Sequence, residues 1–127
     1  MRRGIVALPA VALALAACRA EPPPEPEREA RRPPEPACER ARASLQRRSR
    51  DGTFLFEENG TAMIDRNDWL RLDEGGRDRL VERLAVVVGC AAATPQREVE
   101  IVIRGETGDV LTRRRVVPST DFRTGTE

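Results

Sequence analysis

Residues 53–65 read Thr53-Phe54-Leu55-Phe56-Glu57-Glu58-Asn59-Gly60-Thr61-Ala62-Met63-Ile64-Asp65, and this stretch decides the fold. Strand formers from Thr53 to Glu57 lead into Glu58-Asn59-Gly60-Thr61, a turn signal, and Thr61 to Asp65 supplies the return strand. An Asn-Gly pair in a two-residue type I′ turn predicts a register with Phe56 against Met63 and Leu55 against Ile64. Both faces of the hairpin then carry large apolar groups. One face is expected to meet a helix. The other, around Phe54, Phe56 and Met63, needs cover from the first helix, the C-terminal tail or another chain, so these three residues form the candidate contact surface.

Outward from the hairpin, Cys38, Ala41 and Leu45 recur at helical spacing between Ala37 and about Arg48, and Asp51-Gly52 ends that helix. On the other side, Asn67 or Asp68 is placed to cap a short turn carrying Trp69, Leu70 and Leu72. Asp73 is placed to cap a longer helix with an apolar stripe of Leu80, Val81, Leu84, Ala85, Val88 and Ala91, its first turn weakened by Gly75 and Gly76. Thr94-Pro95 closes it. Val99, Ile101 and Ile103 then alternate with charged residues, Gly105 to Asp109 turns, and Val110 to Val117 runs back as a second hairpin. The pattern predicts an α+β domain over 37–117 in the order α-β-β-α-β-β, with an antiparallel sheet packed on one main helix. Residues 118–127 read as a flexible tail, in which Phe122 is the one large apolar group available to dock.

Composition narrows the chemistry. Of 127 residues, 34% are charged and 39% hydrophobic, which allows a modest core but no deep walled pocket. All 22 basic residues are Arg, and there is no His. His-based triads, HExxH sites and most zinc chemistry are therefore excluded, and neither metal nor cofactor is expected. The net charge of +1 gives no bulk attraction to nucleic acid.

The chain opens with Arg2 and Arg3, an apolar run from Gly4 to Ala17, and Leu15-Ala16-Ala17-Cys18. These are the n-region, h-region and cleavage site of an export leader, and the apolar run is shorter than the roughly 20 residues a spanning helix needs. Leu, two small residues and Cys make a lipobox, and the sequence here resembles a bacterial lipoprotein precursor. That resemblance is confined to the leader. It implies a signal peptide over 1–17, a diacylglyceryl thioether on Cys18, and a membrane anchor made permanent by two or three acyl chains. Because Arg19 and not Asp follows the cysteine, it also implies the outer membrane, periplasmic side.

Glu21 to Pro36 contains seven Pro, five Glu, three Arg and one Ala, a composition that builds no core. At roughly 3.1 Å per residue in polyproline II form, it reads as a tether, 18–36 with its lipidated cysteine, reaching about 50 Å. Two cysteines remain, Cys38 and Cys90. In an oxidising compartment an intramolecular disulfide is the default for them, closing a loop of about 53 residues and stabilising the fold by roughly 4 kcal/mol in the chain-entropy model.

Other motifs have simpler readings than catalysis. Arg113-Arg114-Arg115 on a strand splits between two faces, where Glu98 and Glu100 can pair with one side, or an anion such as a lipid phosphate can. Glu57, Glu58, Asp65, Asp68, Asp73 and Glu74 stand where caps and turns want carboxylates. Trp69 reads as a core anchor. None of Ser44, Ser49 and Ser119 lies in a nucleophile motif. The expectation is a non-enzymatic envelope lipoprotein that acts by contact with an envelope protein or with itself. The alternatives are a carboxylate-dependent hydrolase of cell-wall glycan, and an inhibitor of such a hydrolase using the Gly105–Asp109 loop.

Overall fold

The structure is a computed structural model that describes residues 30–118. The leader with Cys18, most of the Pro/Glu-rich stretch and Phe122 lie outside the described residues. The elements are α1 (Glu35–Ser49), β1 (Phe54–Phe56), β2 (Thr61–Ile64), α2 (Arg66–Arg71), α3 (Glu74–Ala91), β3 (Val99–Gly105) and β4 (Val110–Val116).

Helix α1 starts two residues before the expected Ala37. Pro34 caps it and Pro36 sits in the first turn, where a missing N–H leaves no hydrogen bond unmade. The short helix α2 is capped by Asp65, not by Asn67 or Asp68: the Asp65 carboxylate accepts from the Asn67 N–H at 2.7 Å. Asp73 caps α3 as its position suggests, accepting from the Gly76 N–H at 2.6 Å. That bond fixes the first turn, so α3 is helical through Gly75 and Gly76 despite their low propensity.

The four strands form one sheet in the order β1-β2-β3-β4. The α+β class holds, but the antiparallel sheet expected from two hairpins does not. β1–β2 and β3–β4 are antiparallel, whereas the central pair β2–β3 is parallel. The reason is the connection. After β2 the chain returns along α3, whose 18 residues span about 27 Å. The next strand therefore starts at the end where β2 began and must run the same way. Nor does one helix cover the sheet alone: α1 contacts β1 and α3, while α3 contacts β3 and β4.

The first hairpin corrects a second expectation. Phe54 pairs with Ile64, Leu55 with Met63 and Phe56 with Ala62, one residue away from the two-residue-turn register. Asn59 does not take the positive φ a type I′ turn demands, and only Gly60 does, at +97°. The loop accordingly has three residues, Glu58-Asn59-Gly60, closed by Glu57 N–H to Thr61 O at 2.9 Å and Gly60 N–H to Glu57 O at 3.3 Å. Gly60 is also required by contact. Its carbonyl accepts from the Val102 N–H at 3.0 Å, and a Cβ there would collide with the carbonyl oxygen of Glu100. The second hairpin repeats the three-residue closure, Gly105 N–H donating to Asp109 O at 2.8 Å.

The core lies between the helices and one sheet face. Phe54, Ala62, Ile64, Val99, Ile101 and Ile103 face inward, against Ala37, Ala41 and Leu45 of α1. From α3 come Leu80, Val81, Leu84 and Ala85, as its periodicity predicts, together with Val86 and Val87. The buried arc of α3 is wider than one stripe because α1 covers it on one side and the sheet on another. Val88 is half-buried and Ala91 exposed.

Candidate functional site

The three residues expected to form one contact surface are divided between two faces. Phe54 is 1% exposed, and its ring stacks with that of half-buried Phe56 at 6.0 Å between centroids. Both point to the helix layer, so neither is available to a partner. Met63 is 40% exposed on the opposite face. The one-residue shift in register produces this division, since each step along a strand exchanges the faces. Leu55, 54% exposed, takes the place beside Met63 that the sequence pattern had given to Phe56.

The outer sheet face has a definite layout. Successive registers align Leu55 with Met63, Met63 with Arg104, and Arg104 with Val110, one row across all four strands. A second row holds Thr61, Val102 and Arg113, and a third pairs Glu100 with Arg115. Val110 is 44% exposed and Val102 half-buried. Among the described residues no helix lies over this face. Arg104 Nη1 donates to the Gly108 carbonyl at 2.9 Å, so its charge is drawn toward the loop while its methylenes extend the apolar row. Of these, Leu55 is hidden in the sequence by the two-residue count of the first hairpin's loop, while Val110 joins the row only through the pairing of β3 with β2 and β4.

The arginine run divides as strand geometry requires. Arg113 Nη1 lies 3.5 Å from Glu100 Oε1 on the outer face, while Arg114 reaches the helix layer and pairs with Asp78 of α3. A separate cationic group gathers where α1 and α3 meet: burial first, then the charges of Arg48, Arg79 and Arg47, hold the Arg83 guanidinium below its ordinary pKa. Trp69 is buried beneath Arg77, whose guanidinium carbon lies 4.5 Å from the ring centroid and whose Nη2 donates to the Trp69 carbonyl at 3.1 Å. It anchors α2.

The carboxylates are mostly engaged in local structure. Asp65 and Asp73 are caps, Asp68 pairs with Arg71 at 3.4 Å, and Glu58 with Arg42 at 3.5 Å. Two come together at the exposed β3–β4 loop, where the charge of Asp65 and a hydrogen bond to it push the Glu106 carboxyl up. Asp109, held by Thr107 Oγ1 at 2.7 Å and Arg66 Nη2 at 2.8 Å, is pulled below its ordinary value, chiefly by the Thr107 bond. Among the described residues no group of three or more His, Cys, Asp or Glu is placed to hold a metal ion.

Cys38 and Cys90 are joined, with Cα atoms 6.0 Å apart, and the bridge ties the first turn of α1 to the last turn of α3. The end of the Pro/Glu-rich segment belongs to the same joint. Arg32 Nη2 donates to the carbonyls of Ala92 and Ala93 at 2.7 and 3.1 Å, satisfying oxygens at the C-terminus of α3. Pro33 and Pro118 are both buried against Gly89, where a Cβ would lie 3.3 Å from Pro33 Cδ and 3.2 Å from Pro118 Cβ. Arg32 and Pro33, in the stretch read as tether, thus pack against the C-terminal end of α3.

No helix among the described residues is long and apolar enough to cross a membrane. No family model, curated protein or solved structure matches the chain.

Proposed function

We propose that this chain is a lipid-anchored envelope protein, held by acyl groups on Cys18 at the periplasmic side of the outer membrane, whose domain works as a non-enzymatic interaction module. The anchor reading is supported by the leader and its Leu15-Ala16-Ala17-Cys18 motif. The interaction reading is carried by one observation: the sheet face bearing Leu55, Met63 and Val110 has no described element over it. Contiguous exposed apolar surface is a mark of contact sites. The working surface is then Leu55, Met63 and Val110, with Phe54 and Phe56 supporting it from the core.

Two measurements test the two parts separately. Palmitate labelling of cells should mark the wild-type chain and not a Cys18→Ala variant; no label on either ends the anchor reading. A photo-crosslinking residue at position 63 should yield a discrete adduct in intact cells, and one on the helix layer, at Gln46, should not. Equal yields from the two sites would refute the surface.

A second reading has its own support. The Glu106-Thr107-Gly108 loop is braced by Arg66, Thr107 and Arg104 through Asp109 and the Gly108 carbonyl. A braced protruding loop suits an inhibitor of a wall hydrolase, because little loop freedom remains to be lost on binding. Inhibition of a wall-lysing enzyme that is abolished by Glu106→Arg would favour it.

A further inference from the structure

We infer that the arginines closing the seam between α1 and α3 form a binding site for a phosphate group, carried by a lipid headgroup or free in solution. The site is separate from the outer sheet face and stands without it. Cys38, Ala41, Leu45 and Arg48 make one row on α1, and Cys90, Val86, Arg83 and Arg79 make one row on α3, each in steps of three or four residues. The Cys38–Cys90 bridge joins the start of one row to the start of the other, and the two helices pack along each other. Arg48 lies about 15 Å beyond Cys38 along α1, and the same distance back from Cys90 along α3 falls at Leu80, between Arg79 and Arg83. The first part of the seam is apolar, with Ala41, Leu45 and Val86 buried. Its far end instead gathers cations, Arg48 and Arg83 half-buried and Arg47 and Arg79 exposed beside them.

A seam that served packing alone would end in apolar side chains or in opposite charges. Like charges four residues apart on a helix, as Arg79 and Arg83 are, destabilise it. The dipole of α1 favours Arg47 and Arg48 in its last turn, but Arg79 lies back over Gly75, where a Cβ would sit 3.4 Å from its Nη1, toward the positive end of α3 that disfavours a cation. The charges of Arg48, Arg79 and Arg47 add to burial in holding the Arg83 guanidinium below its ordinary pKa, and Glu82 opposes them only in part. An anion set among the four arginines relieves all of these conflicts together. Phosphate suits the place better than a carboxylate: it carries up to two charges, and its tetrahedral oxygens accept from several guanidinium forks, whereas a carboxylate is matched by one.

The basic side chains of this protein are all Arg, so guanidinium Nε–Hε NMR signals report every one of them. The full-length isotope-labelled chain, in neutral detergent at fixed ionic strength, is titrated with inorganic phosphate and, separately, with micelles carrying phosphatidic acid. Acetate and oleate are the carboxylate counterparts. The expected result is a saturable shift confined to the signals of Arg47, Arg48, Arg79 and Arg83, assigned through single Gln variants, and weaker with either carboxylate. Arg48→Gln or Arg79→Gln should lower the affinity roughly tenfold or more, the effect of losing one charge-assisted hydrogen bond. Arg71→Gln, on α2, should leave it unchanged, and an unaltered backbone amide spectrum shows that each variant is folded. Saturation by phosphate alone assigns a free anion, by phosphatidic acid alone a headgroup, and by both the phosphate group itself; each supports the site. No shift, a shift spread over the exposed arginines and linear in concentration, equal affinity for the carboxylates, or an affinity that survives both Gln variants overturns it.

Discussion

Leu55 stands directly opposite Met63 on the solvent side of the β1–β2 ladder, while the adjoining pair Phe54 and Ile64 points into the core. The assignment of inside and outside follows from that one register. Truncating Phe54 to Ala should lower the unfolding free energy by about 3–5 kcal/mol, whereas Leu55→Ala and Met63→Ala should each stay within about 1 kcal/mol. Urea denaturation of the three variants checks this. In the two-residue-turn register, Met63 would share a face with Phe54 and Phe56, and their truncation would be similarly damaging.

The bridge between Cys38 and Cys90 joins α1 to α3 across a separation of 52 residues. Replacing both cysteines by Ser should destabilise the domain by about 2–5 kcal/mol. Reduction of the native chain should add two hydrogens to its mass and move the guanidinium midpoint down to that of the double variant. If oxidised and reduced chains unfold at the same midpoint, the helix pair is held by packing alone.

Gly60 satisfies two demands together, a positive φ and the close approach of β3. Gly60→Ala should therefore cost more than backbone strain by itself, about 2 kcal/mol or more. The amide of Val102, which donates to the Gly60 carbonyl, should lose hydrogen-exchange protection first. A stability unchanged within error would mean that the loop and β3 are not in contact.

Much of this fold is legible in the sequence where the signal is local. The caps at Asp73, the α3 stripe from Leu80 to Ala85 and the sites of both hairpins follow from spacing and residue type. What stays hidden is set by contacts between distant segments. Asn59-Gly60 fits a two- or a three-residue loop about equally, and the choice agrees with the seating of Gly60 on the Glu100 carbonyl, 40 residues away in the chain. The parallel pairing of β2 with β3 comes from the path of α3, which no strand pattern records. Arg32 and Pro33 belong to a stretch whose composition reads as tether, yet they fill the groove beside Gly89 and the end of α3. The outer face was misassigned for the first of these reasons: a one-residue ambiguity in a loop exchanges Leu55 for Phe56.

The β3–β4 loop gives the pH prediction. Glu106 titrates above its ordinary value, first because of the negative charge of Asp65 and then through their hydrogen bond, while Asp109 titrates below, first because Thr107 donates to it. The signs oppose each other. A raised carboxyl favours the folded state at low pH, where it is protonated, and that contribution is lost as pH rises through the folded value. A lowered carboxyl stabilises above its unfolded value, and that contribution is lost as pH falls through the folded value. Carboxyl-carbon NMR titration should show Glu106 high and Asp109 low. Asp65→Asn keeps an N-cap acceptor for the Asn67 N–H, so α2 should persist while Glu106 returns toward the normal glutamate range. Thr107→Val should raise Asp109, the remaining pull of Arg66 holding it back in part. If Glu106 keeps its elevated midpoint in Asp65→Asn, the two carboxyls do not meet and the loop is not folded back onto α2.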